Sequence, residues 1–466
     1  MNYNLVLFNI MTWVMPCSAL MIFLTGLYLC IYFDWINVRQ FNFALRLIFK
    51  SRSQNLESKE ISHFQALTLA LSCTIGLMNI SGVAIIIALG GPGAIFWMIL
   101  ASFFGMTTKF MEATCGQKYR ITTQDEIKGG TMYTLFEAFN KKSIWYNDKR
   151  KLIKYYFPFI ARVLGLVYAV NLLLTSLILG NIYQVNELVA ILASGTVDTS
   201  AQLAVSIALL CVVFTVIYGG IKKIADILSY LLPITILIYI LLCITILIIN
   251  LDQLLQVIIL IINHAFSYDA FGNGMLASFL FGTSFGAFSN EAGLGTSSVA
   301  HSSAHSSEPV KQGLVALLEP FIDTIVICTL TALVILFAYP EGNQLPYIGA
   351  QLTKVSMEKF LPWVGDLFNI IVCVFVLSTI LSTYYYGMQA WKYIFTNIKF
   401  VSYQFVYDFI FLFLILTAFS FNLVDLMITL NILIPLLVIP NLFMILNLMK
   451  DIRVDFRAFV RDHESN

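Results

Sequence analysis

Charged residues are scarce in this sequence of 466 residues, where Asp, Glu, Lys and Arg together account for only 11%. Ordinary soluble domains carry roughly 25%. Hydrophobic residues reach 59%, so the composition excludes a soluble fold. The net charge is +1, and the few basic residues are scattered in short segments. This distribution excludes a nucleic-acid-binding protein.

Disulfide and metal-ligand spacings are also lacking. The eight cysteines lie in apolar stretches without a CxxC pair, which is typical of buried apolar packing residues. His301 and His305 have i, i+4 spacing, but no third ligand accompanies them. The serine-rich segment around them predicts solvated loop residues. We therefore expect no transition metal and no cofactor.

Long apolar runs dominate what is present. Eleven of them could cross about 30 Å of hydrocarbon as helices of about 20 residues. Lipid leaves the backbone no outside partners, and the runs are too long and uniformly apolar for barrel strands, so the sequence predicts an all-α polytopic membrane protein. The first run lacks the features of a signal peptide and predicts a retained helix. The runs fall near residues 11–33, 66–89, 94–116, 156–195, 201–218, 226–249, 274–300, 313–338, 364–390, 404–421 and 425–448.

Basic residues predict the orientation. If the N-terminus lies outside, 23 of the 27 Lys and Arg residues fall on the cytoplasmic side, as the positive-inside rule requires. Only Lys354 and Lys359 fall outside, while Lys109 and Arg162 lie within or near the ends of helices. We expect a multi-pass protein of the cell (inner) membrane with a cytoplasmic C-terminus.

Two of the apolar runs are expected to break near mid-membrane. The second contains Gly76, Asn79 and Gly82, and the seventh contains four glycines and a Ser-Asn-Glu triplet between residues 282 and 295. Broken helices are tolerated at bilayer depth only where the backbone lines a polar cavity or packs in protein. Paired breaks in two halves of a chain indicate an inverted-repeat transporter with a site near the midplane.

Several motifs resemble the alanine or glycine:cation symporter family. The most specific is Phe288-Ser-Asn-Glu-Ala-Gly-Leu-Gly295, followed by Pro309-Val-Lys-Gln-Gly313 and Asp323-Thr324. The resemblance is collinear over about residues 60–450. The other matching motifs begin at Gly76, Gly90, Gly105, Tyr119, Gly180, Gly219, Ser378, Tyr385 and Pro440.

The resemblance implies a LeuT-type bundle, in which ten helices form two inverted repeats of five. One extra N-terminal helix and a cytoplasmic linker, residues 1–60, would precede a transporter core at 61–466. The first repeat would cover about residues 66–249 and the second about 274–448, before a short cytoplasmic tail. The implied function is transport rather than catalysis: Na⁺-coupled symport of a small neutral amino acid, such as alanine or glycine, by alternating access.

A zwitterionic amino acid needs partners for both of its charges, because burying either one unpaired is costly. Half-helix N-termini offer N–H groups to a carboxylate, and half-helix C-termini offer carbonyls to an ammonium group or to Na⁺. Side-chain amides can orient the ligand without adding charge, although such amides also bridge helices in membrane bundles. The predicted substrate-binding residues are Gly76, Met78, Asn79, Gln184, Asn290, Gly293 and Thr383.

The coupling ion is expected to bind oxygen ligands. An adjacent Ser-Thr pair on an apolar helix more often bonds its own i−4 carbonyls. The resemblance nevertheless implies a Na⁺ site at Ser378 and Thr379, with Thr74 as a further ligand.

Ionisable groups at membrane depth are candidate functional residues. Glu291 and Asp323 are predicted gate or helix-positioning residues, or protonatable groups if the coupling ion is H⁺. Lys109 and Glu112 are three residues apart, and we expect them to form a structural ion pair across one helical turn.

The sequence departs from the family pattern at three places. Met78 replaces the second glycine of a Gly-Thr-Gly-Asn motif, Thr383 replaces a tryptophan, and residues 129–134 replace a Gly-Gly-Pro-x-Tyr-Tyr motif. Met78 would narrow the space beside the substrate and Thr383 would widen it. We therefore hypothesise altered specificity, with a different small neutral amino acid or glutamine as the alternative substrate.

The alternative functional classes are a membrane enzyme and a channel or receptor. A membrane enzyme would need a nucleophile–base set, a metal cluster or a phosphate-binding loop, and the sequence contains none of these patterns. A channel would predict a continuous pore, and a receptor a large extramembrane domain. The sequence favours a transporter over these alternatives.

Overall fold

A computed structural model describes residues 2–51, 60–123, 126–145, 151–192, 199–267, 274–340, 347, 349–395 and 403–464. Within these ranges the regular structure is helical apart from one hairpin, in which β1 (Ile121–Thr122) pairs antiparallel with β2 (Ile127–Lys128), and one isolated parallel bridge between Ile61 and Ala304. The first half of the chain forms α1 (Asn2–Tyr32), α2 (Ile36–Arg39), α3 (Phe41–Ser51), α4 (His63–Thr74), α5 (Val83–Gly90), α6 (Ala94–Lys118), α7 (Thr131–Trp145), α8 (Lys151–Leu177), α9 (Gln184–Leu192), α10 (Thr199–Ile217) and α11 (Gly220–Ile249).

The second half begins with a helix that the apolar runs did not predict, α12. Its helices are α12 (Leu251–Phe266), α13 (Gly274–Phe288), α14 (Ser297–Ser302), α15 (Pro309–Ala316), α16 (Leu318–Pro320), α17 (Thr329–Ala338), α18 (Ala350–Phe360), α19 (Val364–Ile394), α20 (Tyr403–Thr417) and α21 (Leu423–Glu464).

The predicted polytopic membrane fold is confirmed. Among the described residues, eight helices are long and apolar enough to cross a bilayer, and nine if the bent pair α4 and α5 forms one span. α13 and α20 are also apolar but shorter. The bundle therefore has about eight or nine clear spans.

In the described part of the chain, three π-helical turns interrupt the spans, at Met78–Gly82, Ile178–Tyr183 and Phe321–Cys328. They lead into α5, α9 and α17 respectively. π-turns inside α-helices frequently lie at functional sites. Each of these turns contains or adjoins a residue predicted to bind substrate or to position a helix.

The centre of the bundle is α6, which packs against α13, α14 and α15. Glycines allow this close approach: a Cβ at Gly282 would lie 2.3 Å from the Ala94 carbonyl oxygen, and one at Gly286 would lie 2.5 Å from that of Met98. Small residues at such crossings let helix backbones come together in a membrane, where packing drives association.

Lys118, Arg120 and Lys392 pair with Asp455, Glu60 and Glu126 at one end of the bundle, which is called the basic end below. The capping box of Ser62 and Gln65 starts α4 there. The hairpin is attached to α19 by Lys392, whose Nζ lies 2.6 Å from Glu126 Oε2. Burial alone would raise the pKa of Glu126, but hydrogen bonds from Lys392 and Lys128 hold it below its ordinary value.

One expectation about exposure was wrong. Cys17 and Cys211 are exposed rather than buried, because they lie on the outer faces of α1 and α10. The segment after residue 448 is helical and continues α21 as far as Glu464. An ion pair of 2.6 Å between Lys118 and Asp455 holds this extension against the bundle.

Candidate functional site

The first break lies between α4 and α5. α4 ends at Thr74, helical structure resumes at Met78, and the two halves are inclined by 52°. The free N–H of Gly76 donates to Asn79 Oδ1 at 3.3 Å. A Cβ at Gly76 would lie 2.8 Å from Thr379 Oγ1. Glycine is therefore needed for the break to approach α19 this closely.

The second break lies between α13 and α14. Its backbone takes positive φ at Glu291 (56°), Gly293 (92°) and Gly295 (81°), a region that costs energy for a residue other than glycine. The N–H groups of Gly293 and Gly295 donate to Glu112 Oε1 at 2.8 and 3.1 Å. A buried carboxylate on α6 thus satisfies backbone groups that the break leaves free.

A small cavity lies where the two breaks meet α8, α19 and α21. Its free volume is about 30 Å³, which is room for about two water molecules. An amino acid can therefore enter only if the surrounding helices separate. The polar and small residues that line it are Cys73, Thr74, Gly76, Thr175, Ser176, Gly180, Gln184, Ser289, Glu291, Thr296, Thr379, Thr383 and Tyr386.

Four of the predicted substrate-binding residues line this cavity: Gly76, Met78, Gln184 and Thr383. Gln184 is 2% exposed, and its Oε1 has no hydrogen-bond partner among the described residues. Buried acceptors are nearly always paired. This oxygen is thus available to a ligand donor inside the cavity.

The other three predicted substrate residues surround the cavity without lining it. Asn79 is fully buried, and its Nδ2 donates to Asp323 Oδ1 at 2.7 Å. Asn290 Nδ2 donates to Thr324 Oγ1 at 3.0 Å. Gly293 faces α1, where a Cβ would lie 2.6 Å from Ile22. In this conformation they hold the breaks in shape rather than point into the cavity.

Two of the three predicted ion ligands, Thr74 and Thr379, line the cavity, whereas Ser378 does not. Ser378 and Thr379 donate to the Phe375 carbonyl at 2.8 and 3.0 Å, and Thr74 donates to that of Leu71 at 3.3 Å. Each hydroxyl therefore donates its hydrogen bond to a backbone carbonyl of its own helix. The oxygen lone pairs stay free to coordinate a cation.

Glu291 and Asp323 take different positions. Glu291 lines the cavity and accepts from Thr296 Oγ1 at 2.5 Å. Asp323 lies behind the first break, where its carboxylate accepts from Asn79 and from Thr324 Oγ1 at 2.7 Å each. Neither carboxylate forms an ion pair with a basic side chain in the described part of the chain.

The expected ion pair between Lys109 and Glu112 is wrong. Lys109 Nζ instead lies 2.9 Å from Glu319 Oε2, and both side chains are fully buried. Glu112 accepts from the second break and from Asn441 Nδ2 at 2.7 Å. The pairing follows from the close packing of α6 against α15 and α16, which local spacing does not reveal.

The expectation of two solvated histidines is also wrong for His301. It is fully buried, and its Nε2 lies 2.5 Å from Glu319 Oε1, because α14 packs into the bundle against α6. His305 is exposed and pairs with Glu60. Within the described ranges, no three His, Cys, Asp or Glu side chains are grouped as metal ligands.

Sequence reasoning missed Glu319, although a signal was present. Glu319 lies in the same apolar run, 313–338, as Asp323. The rule that marks ionisable groups at membrane depth as functional candidates applies equally to both.

A bundle of apolar spans, with two helix breaks that meet at a central polar cavity, defines a polytopic membrane transporter. Residues 2–466 match the model of the sodium:alanine symporter family. The chain is 33% identical over 385 residues to the sodium/alanine symporter AgcS of Methanococcus maripaludis, covering 81% of each protein. The chain belongs to the sodium:alanine symporter family.

Two relatives from Bacillus subtilis are also similar. The chain is 32% identical over 368 residues to the probable sodium/glutamine symporter GlnT, covering 78% of this chain and 71% of that protein. It is 29% identical over 380 residues to the amino-acid carrier protein AlsT, covering 81% and 74%. The resemblance noted in the sequence is confirmed, and with it cation-coupled amino acid symport rather than catalysis.

Proposed function

We propose that this chain carries a small neutral amino acid together with Na⁺, by alternating access around the cavity between the two breaks. The observation that carries the proposal is the unpartnered Gln184 Oε1, which lies in the cavity lining with Gly76 and Thr379. A buried acceptor without a partner is costly. A substrate ammonium group would supply the missing donor.

The carboxylate of the substrate needs donors of its own. The first break ends one half-helix at Thr74 and starts another at Met78. The N-terminal end of the second half presents free N–H groups and the positive end of the helix dipole. A carboxylate bound there would complete recognition of both charges without a charged side chain.

Cavity size supports a small substrate. The free volume of about 30 Å³ must increase for any amino acid, and the increase is least for glycine and alanine. Met78 and Thr383 both line this space. Thr383 Oγ1 donates to the Thr379 carbonyl at 2.7 Å and contacts the Gly180 carbonyl at 3.1 Å, so it also ties α19 to the π-turn before α9.

For the ion we propose oxygen ligands from Thr74, Ser378 and Thr379. Their free lone pairs suit a hard cation, and α4 and α19 pack against each other. Opening the cavity would separate these helices and release the ion with the substrate. Glu291 and Asp323 would position the two breaks, or bind a proton if H⁺ is the coupling ion.

For the architecture we propose the LeuT-type arrangement of two inverted repeats, about 66–249 and 274–448, after one extra helix within residues 1–60. Counting α13 with α14, and α20, as crossings in addition to the nine spans gives eleven. The basic end would then face the cytoplasm in the cell (inner) membrane, with the N-terminus outside. The short breaks in α4–α5 and α13–α14 support this arrangement.

The test is an uptake screen of labelled amino acids in proteoliposomes, with Na⁺ buffer and with Na⁺-free buffer. We expect alanine or glycine to accumulate only with an inward Na⁺ gradient. Because the chain also resembles GlnT, glutamine is the second candidate substrate. Glutamine as the best substrate would assign a glutamine-type transporter, and accumulation driven by a pH gradient alone would assign H⁺ coupling. No uptake or exchange of any amino acid would refute the proposal.

A further inference from the structure

A chain of buried polar side chains, here called the histidine chain, connects α4 to α16 between the cavity and the basic end. His63 on α4 bonds through Nδ1 to Gln312 on α15, and Gln312 bonds in turn to Nδ1 of His301 on α14. His301 Nε2 then meets Glu319 Oε1 at 2.5 Å. His301, Gln312 and Glu319 are fully buried and His63 is 9% exposed.

The charges around this chain do not balance. Two fully buried carboxylates, Glu112 and Glu319, share one fully buried ammonium group, Lys109. Glu112 Oε2 has no hydrogen-bond partner among the described residues. An unpaired buried charge is costly unless it is neutralised. One further proton would offset the second of these two carboxylates, and His301 is in contact with Glu319, where that proton would be stabilised.

The amide of Gln312 has two orientations that correspond to two protonation states. With its NH₂ group toward His301, it donates to Nδ1, so His301 is neutral and carries its single proton on Nε2, while His63 donates from Nδ1. With its oxygen toward His301, it accepts from Nδ1–H, so His301 carries both protons. The NH₂ group then faces His63, whose proton must move to Nε2. The protonated state holds one proton more, taken from solution.

We propose that His301 and Glu319 form a proton-binding site, and that the amide of Gln312 transmits its state to His63. The site lies outside the substrate cavity and shares no residue with the proposed Na⁺ ligands. It involves both broken helices at once, since α4 carries His63 and α14 carries His301. A proton bound here changes the contacts that hold the two half-helices nearest the basic end.

The groups that face this site come from every element packed against α14. Lys109 on α6 is the cation in direct contact with Glu319 among the described residues, and Ser297 Oγ donates to Glu319 Oε2 at 2.8 Å. The titratable or charged neighbours are Lys109 and Glu112 on α6, His63 on α4, Lys311 on α15, Tyr385 on α19, Glu291 in the second break, and the exposed His305 after α14, which acts on His63. Histidine is the side chain that ordinarily changes charge between pH 5 and 8.

The consequence for transport rests on the proposed function. A path from the cavity to the basic end requires α4 or α14 to separate from α15 and α16. When His301 is protonated, its bond to the Glu319 carboxylate becomes a buried ion pair, and the Coulomb attraction between the two charges adds to the hydrogen bond that neutral His301 already makes. Protonation would therefore hold this half of the pathway closed, and substrate exchange would slow as the pH falls.

The first test measures protonation without transport. In purified protein labelled with ¹⁵N-histidine, the ring nitrogen shifts distinguish neutral and charged imidazole and its two tautomers. His264, His305 and His463 lie outside the chain and can be replaced by glutamine to assign the two buried rings. Between pH 8 and 5 we expect His301 to gain a second proton while His63 changes tautomer. A His301 that keeps one protonation state throughout, or a His63 that does not respond, would overturn the proposal.

The second test measures counterflow of labelled alanine in proteoliposomes with the same pH on both sides. We expect exchange to be about threefold or more slower at pH 6 than at pH 8, because the ion pair adds attraction between α14 and α16 that opening must overcome. His301→Gln and Gln312→Leu should remove this dependence, and His305→Gln should keep it. Equal pH dependence in all four proteins would overturn the gating role. If the parent exchanges no amino acid at all, the proposed transport function fails, and the NMR titration still decides the proton site.

Discussion

Replacing Gln184 by leucine separates substrate recognition from protein stability. In the structure Gln184 Oε1 is buried in the cavity lining and has no partner among the described residues. We propose that the substrate ammonium group donates to it. A hydrogen bond to a charged group contributes about 1.5–3 kcal/mol, and each 1.4 kcal/mol is a factor of ten in affinity. Gln184→Leu should therefore weaken substrate binding by about 10- to 100-fold.

The same substitution should not destabilise the protein without substrate. Leucine has nearly the same size as glutamine, and it removes an acceptor that already lacks a partner, so no internal hydrogen bond through Oε1 is lost. Removing a buried polar atom without a partner is neutral or favourable. We expect the Tm in the absence of substrate to equal or exceed that of the parent.

The assay is equilibrium binding of labelled alanine to detergent-solubilised protein in Na⁺ buffer, with Tm measured on the same samples. Gln256→Leu is the matched control, because Gln256 is exposed on α12 away from the cavity. An affinity within about twofold of the parent would refute the proposed contact. A fall in both affinity and Tm would show that Gln184 acts through folding instead.

Three further substitutions test other contacts. Asn79→Ala should abolish substrate binding and lower the Tm, because it removes the 2.7 Å bond to a buried carboxylate; unchanged binding would contradict this. Thr379→Ala should raise the Na⁺ concentration for half-maximal uptake by about tenfold, whereas Thr245→Ala, at an exposed hydroxyl, should not. Gly180→Ala places a Cβ 2.3 Å from Thr383 and should stop transport, with Thr383→Gly restoring it; failure of that rescue would exclude this clash as the cause.

Hydropathy and glycine content predicted the parts of this fold that follow from local sequence. The break in the second apolar run, between α4 and α5, was expected from Gly76 and Asn79, and the two halves are inclined by 52°. The loss of helix after α13 followed from the glycines between 282 and 295. Both depend on the backbone freedom of glycine, which a sequence shows directly.

Pairings between distant helices could not be predicted in the same way. Lys109 pairs with Glu319 rather than with Glu112, although Glu112 is only one helical turn away along α6. The choice depends on which helices α6 packs against, and on the N–H groups of the second break that already occupy Glu112. The burial of His301 has the same origin, because its polar sequence neighbours gave no sign of the packed bundle around it.

The π-helical turns form a third group of features. Nothing in the sequence 178–183 or 321–328 departs from an ordinary apolar helix except Gly180-Asn181 and Asp323-Thr324. A π-turn replaces the regular hydrogen bonds of the α-helix with less regular ones, and contacts with other helices offset the lost stability. Such contacts include the Asn181 Nδ2 bond to the Phe411 carbonyl at 2.8 Å. The positions of these π-turns could therefore not be predicted from the hydrophobic periodicity of the sequence.

In the proposed mechanism, one cavity takes up an amino acid and Na⁺ together. The most direct measurement is entry of radioactive sodium into proteoliposomes that hold the purified protein, with and without external alanine. We expect alanine to stimulate sodium entry, and this stimulation to be lost in Gly76→Ala, whose Cβ would lie 2.8 Å from Thr379 Oγ1. Alanine uptake that brings no sodium with it would contradict Na⁺-coupled symport through this cavity.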